Sequence, residues 1–341
     1  DPIFSPKTSD PSPIDEPEAW STSLSQAIRC PDDLISALGL PNDLKTAARD
    51  AAIAFPLVVT RSFLRRMEFG NVADPLLRQV LPLEAELKSV VGFVPDAVDD
   101  SSARKAPGLL HKYDGRALFI AAGTCAINCR YCFRRSYPYG DEPRRLNDWE
   151  LAFAYLAQDS SITEIILSGG DPLMLTDRRL SDLLERLEAI PHLERIRIHS
   201  RLPIVLPNRL TSDLIQRLQT SRLTPIMVVH ANHPNEIVDD CEVALRCIVR
   251  SGITTLNQAV LLKGVNDSTD ALTELSRRLI NVGVLPYYLN QLDRVSGTAH
   301  FEVSDTTALK IIREMRSQLP GYAVPQLTRE IPGADSKTPV V

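Results

Sequence analysis

From about Arg116 onward the chain alternates between two rhythms. Short β-rich runs are "ALFIAA" (117–122), "EIILSG" (164–169), "RIRIHS" (195–200), "PIMVVH" (225–230), "TTLNQAVLL" (254–262) and "LPYYLN" (285–290). Between them lie longer helical stretches such as "DRRLSDLLERLEAI" and "CEVALRCIVRSG". Six such β–α units in a row predict parallel strands with helices outside, an α/β fold. Right-handed crossovers then give an open doubly wound sheet or a full or partial barrel. In either case functional side chains belong at the C-terminal ends of the strands.

The preceding segment has a different character. "DPIFSPKTSDPSPIDEPEAW" is rich in Pro, Ser and Asp and predicts a flexible N-terminal arm over residues 1–20. A helical pattern runs from Glu18 to about Leu87. Within it, "DLKTAARDAAIAFPLVVTRSFLRRM" sets apolar residues at helical spacing, and Pro56 should kink or split the helix. The net charge of −5 argues against a general nucleic-acid binder. No run of about 18 apolar residues predicts a membrane span. The N-terminus has neither the basic nor the apolar region of a secretory signal. The cytoplasm is the expected compartment, where clustered cysteines are ligands or catalysts rather than disulfides.

Three of the six cysteines fall in "TCAINCRYCFRR", residues 124–135. A given three-cysteine spacing should arise by chance only about 0.002 times in such a chain, so the cluster needs a cause. Structural zinc usually takes four protein ligands, and Cys30, Cys241 and Cys247 are scattered. A redox C-x₂-C pair would leave Cys125 unexplained. Three thiolates on a [4Fe–4S] cluster, with one iron open to a non-protein ligand, fit the C-x₃-C-x₂-C spacing best.

That spacing, with the aromatic Tyr131 beside Cys132, resembles the signature of the radical S-adenosylmethionine superfamily. The resemblance implies that Cys125, Cys129 and Cys132 hold the cluster. The methionine end of S-adenosyl-L-methionine would chelate the open iron, and reductive cleavage would give a 5′-deoxyadenosyl radical. "LSGGDPL" (167–173) reads by itself as a turn where backbone comes close to a ligand. Beside the cysteines it is similar to the superfamily's glycine-rich turn, which implies cofactor contacts at Gly169, Gly170 and Asp171.

Further segments resemble the lysine 2,3-aminomutases from about residue 85 onward. They are "HKYDGRALF", "CRYCFRR", "HANHPNE", "LNQAVLLKGVND", "PYYLNQLD", "GTAHF" and "GYAVPQLTREIPGADSKTPV". The implied fold is a partial (β/α)6 TIM-like barrel over 106–320. An N-terminal helical subdomain would occupy 21–105, and 321–341 would form a C-terminal segment binding pyridoxal 5′-phosphate. Lys337 alone would be a solvated lysine in a frayed tail; by resemblance it forms the Schiff base with pyridoxal phosphate. Arg134, of the pair Arg134 and Arg135, would clamp the substrate α-carboxylate, which suits a guanidinium fork.

Asp293 would hold the lysine ε-ammonium. Glu330 stands where the family has a second aspartate, so the charge is kept and one methylene is added. Arg116 matches an arginine near the cofactor phosphate, and Lys112 replaces another. Gln258 and His230 align with positions lining the cofactor pocket. Ser268 stands where free-lysine enzymes with a C-terminal zinc site have a cysteine, and the chain stops soon after Lys337, so zinc is not expected.

The activity so implied is an isomerase that converts L-α-lysine to β-lysine, in the R form, through a radical and a pyridoxal aldimine. The short form further implies a link to elongation factor P and its lysyl-transferase. Two rivals stay open: a 2,3-aminomutase for another amino acid such as glutamate, and a non-catalytic cluster-bearing regulatory protein.

Overall fold

A computed structural model describes residues 19–341, so of the expected arm only its last two positions lie within it. Ten strands form one sheet whose spatial order is their order along the chain. They are β1 (Arg104–Ala106), β2 (Leu109–Tyr113), β3 (Arg116–Ala122), β4 (Glu164–Gly169), β5 (Arg195–Ser200), β6 (Thr224–Val229), β7 (Thr254–Val260), β8 (Leu285–Asn290), β9 (Gln326–Arg329) and β10 (Thr338–Pro339). Every pair from β3 to β9 is parallel; β1, β2 and β10 pair antiparallel at the two edges.

All six expected strands are present, within two residues at either end. The seventh parallel strand, β9, is only four residues long, "QLTR", too short for a period to show.

The helices are α1 (Trp20–Ser25), α2 (Pro31–Ala37), α3 (Leu44–Ala54), α4 (Arg61–Leu64), α5 (Glu150–Gln158), α6 (Asp177–Glu188), α7 (Leu202–Val205), α8 (Ser212–Gln219), α9 (Asp239–Arg250), α10 (Thr269–Asn281) and α11 (Asp305–Gln318). The longer helices between parallel strands each bury an apolar face. In α6, Leu180, Leu183, Leu184 and Leu187 are all buried at i, i+3, i+4, i+7 spacing. Side chains of Thr176, Thr211, Ser268 and Ser304 accept backbone N–H groups at the starts of α6, α8, α10 and α11.

The N-terminal helices obey Pro56. Helix α3 ends at Ala54, Phe55 turns extended, and helix resumes only at Arg61. The stretch between pairs Val59 with Ile28. Leu34, Ile35, Val59, Phe63, Leu76 and Leu77 belong to the same buried apolar cluster as the leucines of α6. The N-terminal segment is therefore packed against the barrel rather than tethered beside it. No helix among the described residues is long and apolar enough to cross a membrane.

Candidate active site

The cysteine loop follows β3 and is gripped from two sides. On the outer side, Arg130 N–H donates to Gln79 O (2.9 Å) and Asn128 N–H to Val58 O (3.1 Å), so the N-terminal segment frames the loop. On the inner side the glycine turn closes on it. Gly170 N–H donates to Ala122 O (2.7 Å) and Asp171 N–H to Thr124 O (2.9 Å). Gly169 has φ +115°, and a Cβ there would stand 2.6 Å from Ala122 O; one on Gly170 would strike Thr124 O. The sequence suggests glycines that admit a ligand. In the structure they first admit the cysteine backbone.

Asp171 is buried and fully engaged. It accepts from Leu173 N–H (3.0 Å), Ser200 Oγ (2.7 Å) and Arg201 N–H (2.7 Å). Burial still pushes its carboxyl up to about 6. Its place is to knit the ends of β4 and β5 together.

The thiols suit an iron–sulfur cluster. Burial first, then the charge of Asp171 and of the other two sulfurs, pushes Cys125 well up, and burial pushes Cys132 up to about 11. Such thiols become ligands only when a cationic centre draws off their protons. The Arg201 Nη1 donates to Cys129 Sγ (3.2 Å), a hydrogen bond suited to a sulfur that carries negative charge. Among the described residues no three His, Cys, Asp or Glu side chains are drawn round a single ion.

Behind the loop lies a buried polar hub that sequence reasoning missed. Arg201 Nη2 donates to Gln79 Oε1 (2.7 Å) and reaches Glu236 Oε2 (3.2 Å). Asn232 Nδ2 donates to Gln79 Oε1 (2.9 Å) and to Tyr131 Oη (2.6 Å). Tyr131, expected at the cofactor, thus has its hydroxyl in this hub. Arg201 follows β5 directly, and a charged residue at a strand's C-terminal end was the signal available for it. Gln79 carried none.

A ladder of alternating charge joins most of the other expected residues. Arg134 Nε donates to Asp100 Oδ2 (2.7 Å). Lys112 Nζ stands 2.9 Å from Asp100 Oδ1, an ion pair off the line of a directed hydrogen bond, and donates to Val98 O. Lys112 is also 3.9 Å from Glu330, and Glu330 is 3.6 Å from Lys337 Nζ. Lys337 donates to Asn290 Oδ1 (2.9 Å) and lies 5.8 Å from the centre of the Tyr288 ring. Tyr113 donates its hydroxyl to Glu330.

Asp293 sits in the field of this ladder. Burial and Glu330 push its carboxyl up to about 6 although Lys337 and Lys112 oppose them. For Asp100, burial alone would raise the carboxyl, but Arg134 and Lys112 more than reverse this. Asp293 and Glu330 together line a cavity of about 920 Å³.

Two expected pocket residues pair with each other: Gln258 Nε2 and His230 Nε2 lie 2.8 Å apart. Burial pulls His230 down to about 3, so its ring is neutral. Its edge meets the His199 ring at a centroid separation of 5.7 Å, and His199 Nε2 is buried with no hydrogen-bond partner among the described residues. Arg116 is not drawn into the ladder. It begins β3, at the opposite end from the cysteines, and its guanidinium lies over the Tyr113 ring (4.6 Å). Ser268, the position compared with a zinc-site cysteine, caps α10.

Comparison with known proteins bears on this arrangement. Residues 119–275 match the model of the Radical SAM superfamily. The L-lysine 2,3-aminomutase of Escherichia coli K12 is 47% identical over 324 residues, covering 95% of this chain and 94% of that protein. That of Haemophilus influenzae is 46% identical, covering 95% and 96%. The Clostridium subterminale L-lysine 2,3-aminomutase is 30% identical, covering 94% of this chain and 77% of that protein.

The chain belongs to the lysine 2,3-aminomutase family of radical SAM enzymes. The family consists of isomerases, and its cofactors are a [4Fe–4S] cluster, S-adenosyl-L-methionine and pyridoxal 5′-phosphate.

Proposed function

We propose that this chain isomerises L-α-lysine to (R)-β-lysine, moving the amino group from C2 to C3. The observation that carries the reading is the charge ladder. A guanidinium stands at one end, and two carboxylates and a lysine gather at the other. Lysine is an anion at one end and a cation at the other, and it matches both. Arg134 takes the α-carboxylate, while Asp293 and Glu330 take the ε-ammonium. A glutamate side chain would meet two carboxylates there and be repelled.

Cys125, Cys129 and Cys132 are the residues that would hold three irons, and Lys337 the one that would carry pyridoxal phosphate. Arg116, with Lys112, is proposed for its phosphate end, and Gly169, Gly170, Asp171, Tyr131, His230 and Gln258 for the pocket of S-adenosyl-L-methionine and pyridoxal. When bound, these groups supply a hydrogen-abstracting 5′-deoxyadenosyl radical and a π-system that spreads an unpaired electron. The chain's own contribution is geometric. Clamping both ends of the substrate leaves its β-carbon one orientation towards the radical source. In the loop Ala126 and Ile127 are buried, as is Asp171, while the three cysteines themselves are half-buried.

We further propose the division into 21–105, 106–320 and 321–341, action in the cytoplasm, and supply of β-lysine to the modification of elongation factor P by its lysyl-transferase. The test is an anaerobic incubation of reconstituted protein with S-adenosyl-L-methionine, pyridoxal phosphate, dithionite and L-lysine. Formation of (R)-β-lysine is expected, with none of the β-isomer from glutamate. Cleavage of S-adenosyl-L-methionine without β-lysine would refute the substrate. Loss of β-lysylated elongation factor P on deleting the gene tests the physiological link.

A further inference from the structure

Residues 93–102, "FVPDAVDDSS", form a strap from the loop after β8 to the flank of Arg134. One end is fastened to that loop: Val94 N–H donates to Arg294 O and Ser296 N–H to Val94 O, both at 3.0 Å. At the other end the Asp96 carboxylate accepts the N–H groups of Asp100 (3.0 Å) and Ser101 (3.1 Å). Asp99 adopts φ +54°, one of two non-glycine residues with positive φ among the described residues. A short polar side chain tolerates that conformation best, and here it completes the turn. The turn carries Asp100 inward, where it is 3% exposed and meets Arg134 Nε and Lys112 Nζ.

What Asp100 leaves free matters as much as what it binds. A guanidinium has five N–H groups in a fixed plane. Nε goes to Asp100 (2.7 Å), and one Nη1 hydrogen goes to Ser168 Oγ (3.2 Å). The Phe133 ring backs the plane at 4.7 Å. Nη2 makes no hydrogen bond among the described residues, so the outer Nη edge is presented as an open fork. Without an anchor at Nε the long side chain would turn about its own bonds, and the fork would lose its aim.

We propose that Asp100 is a positioning residue for substrate recognition. It fixes Arg134 through Nε so that the Nη edge faces the substrate α-carboxylate. The inference rests on the reading of Arg134 as the carboxylate clamp. Asp100 touches no substrate atom itself; it acts through Arg134.

The test uses the holoenzyme with two ligands, L-lysine and L-lysinamide, which differ only in the carboxylate. Binding is read by calorimetry without reductant, and turnover by steady-state kinetics. Asp100→Asn should weaken L-lysine about tenfold or more, while L-lysinamide changes less than about twofold. The effect on lysine should fall on KM more than on kcat. Asp100→Glu keeps the charge and should recover part of the loss. Equal weakening of both ligands, or tighter lysine binding by Asp100→Asn, overturns the proposal. Arg134→Lys separates it from its premise: if that variant still prefers lysine to lysinamide as strongly as the parent, the clamp itself is wrong, whatever Asp100→Asn does.

Discussion

Arg134 and Arg135 are neighbours in the chain and opposites in the structure. Arg135 points outward into a closed cluster with Arg130 and Glu86. Arg130 Nε donates to Glu86 (2.8 Å), Arg135 Nη2 to the same carboxylate (2.7 Å), and both guanidinium groups stack on the Phe55 ring at 4.9 and 4.8 Å. Backbone carbonyls of Phe55 and Gly297 take further hydrogens. The Arg130 and Glu86 side chains are 0% and 1% exposed. Arg134 instead lines a cavity of about 310 Å³ with Asp100 and Tyr137, in a ladder whose other members line other cavities and whose longer spacings, 3.6 and 3.9 Å, leave room for other partners. The cysteine loop hangs between the two. Saturated charge braces it from behind, and charge held in reserve faces the chemistry. A buried ion cluster with every partner present serves rigidity; one with free edges serves recognition.

The contrast is broken most sharply from the inner side. Lys337→Ala should abolish β-lysine formation and the visible absorbance of the pyridoxal–lysine adduct, with iron content unchanged. A retained covalent chromophore would place that lysine elsewhere. On the outer side, Glu86→Ala leaves two buried guanidinium groups without their anion. It should lower unfolding stability by about 3–5 kcal/mol, read from denaturant midpoints, and weaken iron retention. Arg134→Ala should lose turnover and, because Lys112 still pairs with the buried Asp100, should lower the midpoint less than Glu86→Ala does. If both variants lost stability alike, the two networks would be one.

Within the inner network, Asp293→Asn keeps shape and removes charge, so kcat/KM for lysine should fall about tenfold or more. Glu330→Asp should cost less, because the charge stays and only the reach shortens. The smallest effect is in pH. With its carboxyl pushed up to about 6, Asp293 is neutral below that pH and cannot counter an ammonium. kcat/KM, which reports the free enzyme, should fall as pH drops through about 6, and Asp293→Asn should flatten that limb. Stability runs the other way. A folded value above the ordinary 3.8 favours the folded chain in acid, and that contribution is lost as pH rises through about 6.

Much of this was legible in the residues themselves. The parallel strands announced themselves by alternation with long amphipathic helices, and Pro56 marked the break it makes. The charged residues expected to bind substrate converge because they follow strand ends that the fold gathers at one mouth. What could not be read was contact across distant segments. Gln79 and Glu236 have no periodicity that foretells a shared hydrogen bond 157 residues apart. "DDSS" reads as a solvated turn, and only the strap's path turns Asp100 inward. The glycines were visible but their reason was not, since a close approach needs two chains of backbone to name.

The bond from Tyr113 to Glu330 spans 217 residues, and among the described residues β1 and β10 do not pair, so this bond and Lys112 bridge the flank of the barrel. On the ribosome, at about 5–20 residues per second, those partners emerge about 10–40 s apart. Cys125, Cys129 and Cys132 have then long been synthesised, and Lys337 has not. Emergence thus has a fixed order: the cysteine loop early, the partner that bridges the flank late, and Lys337 after it.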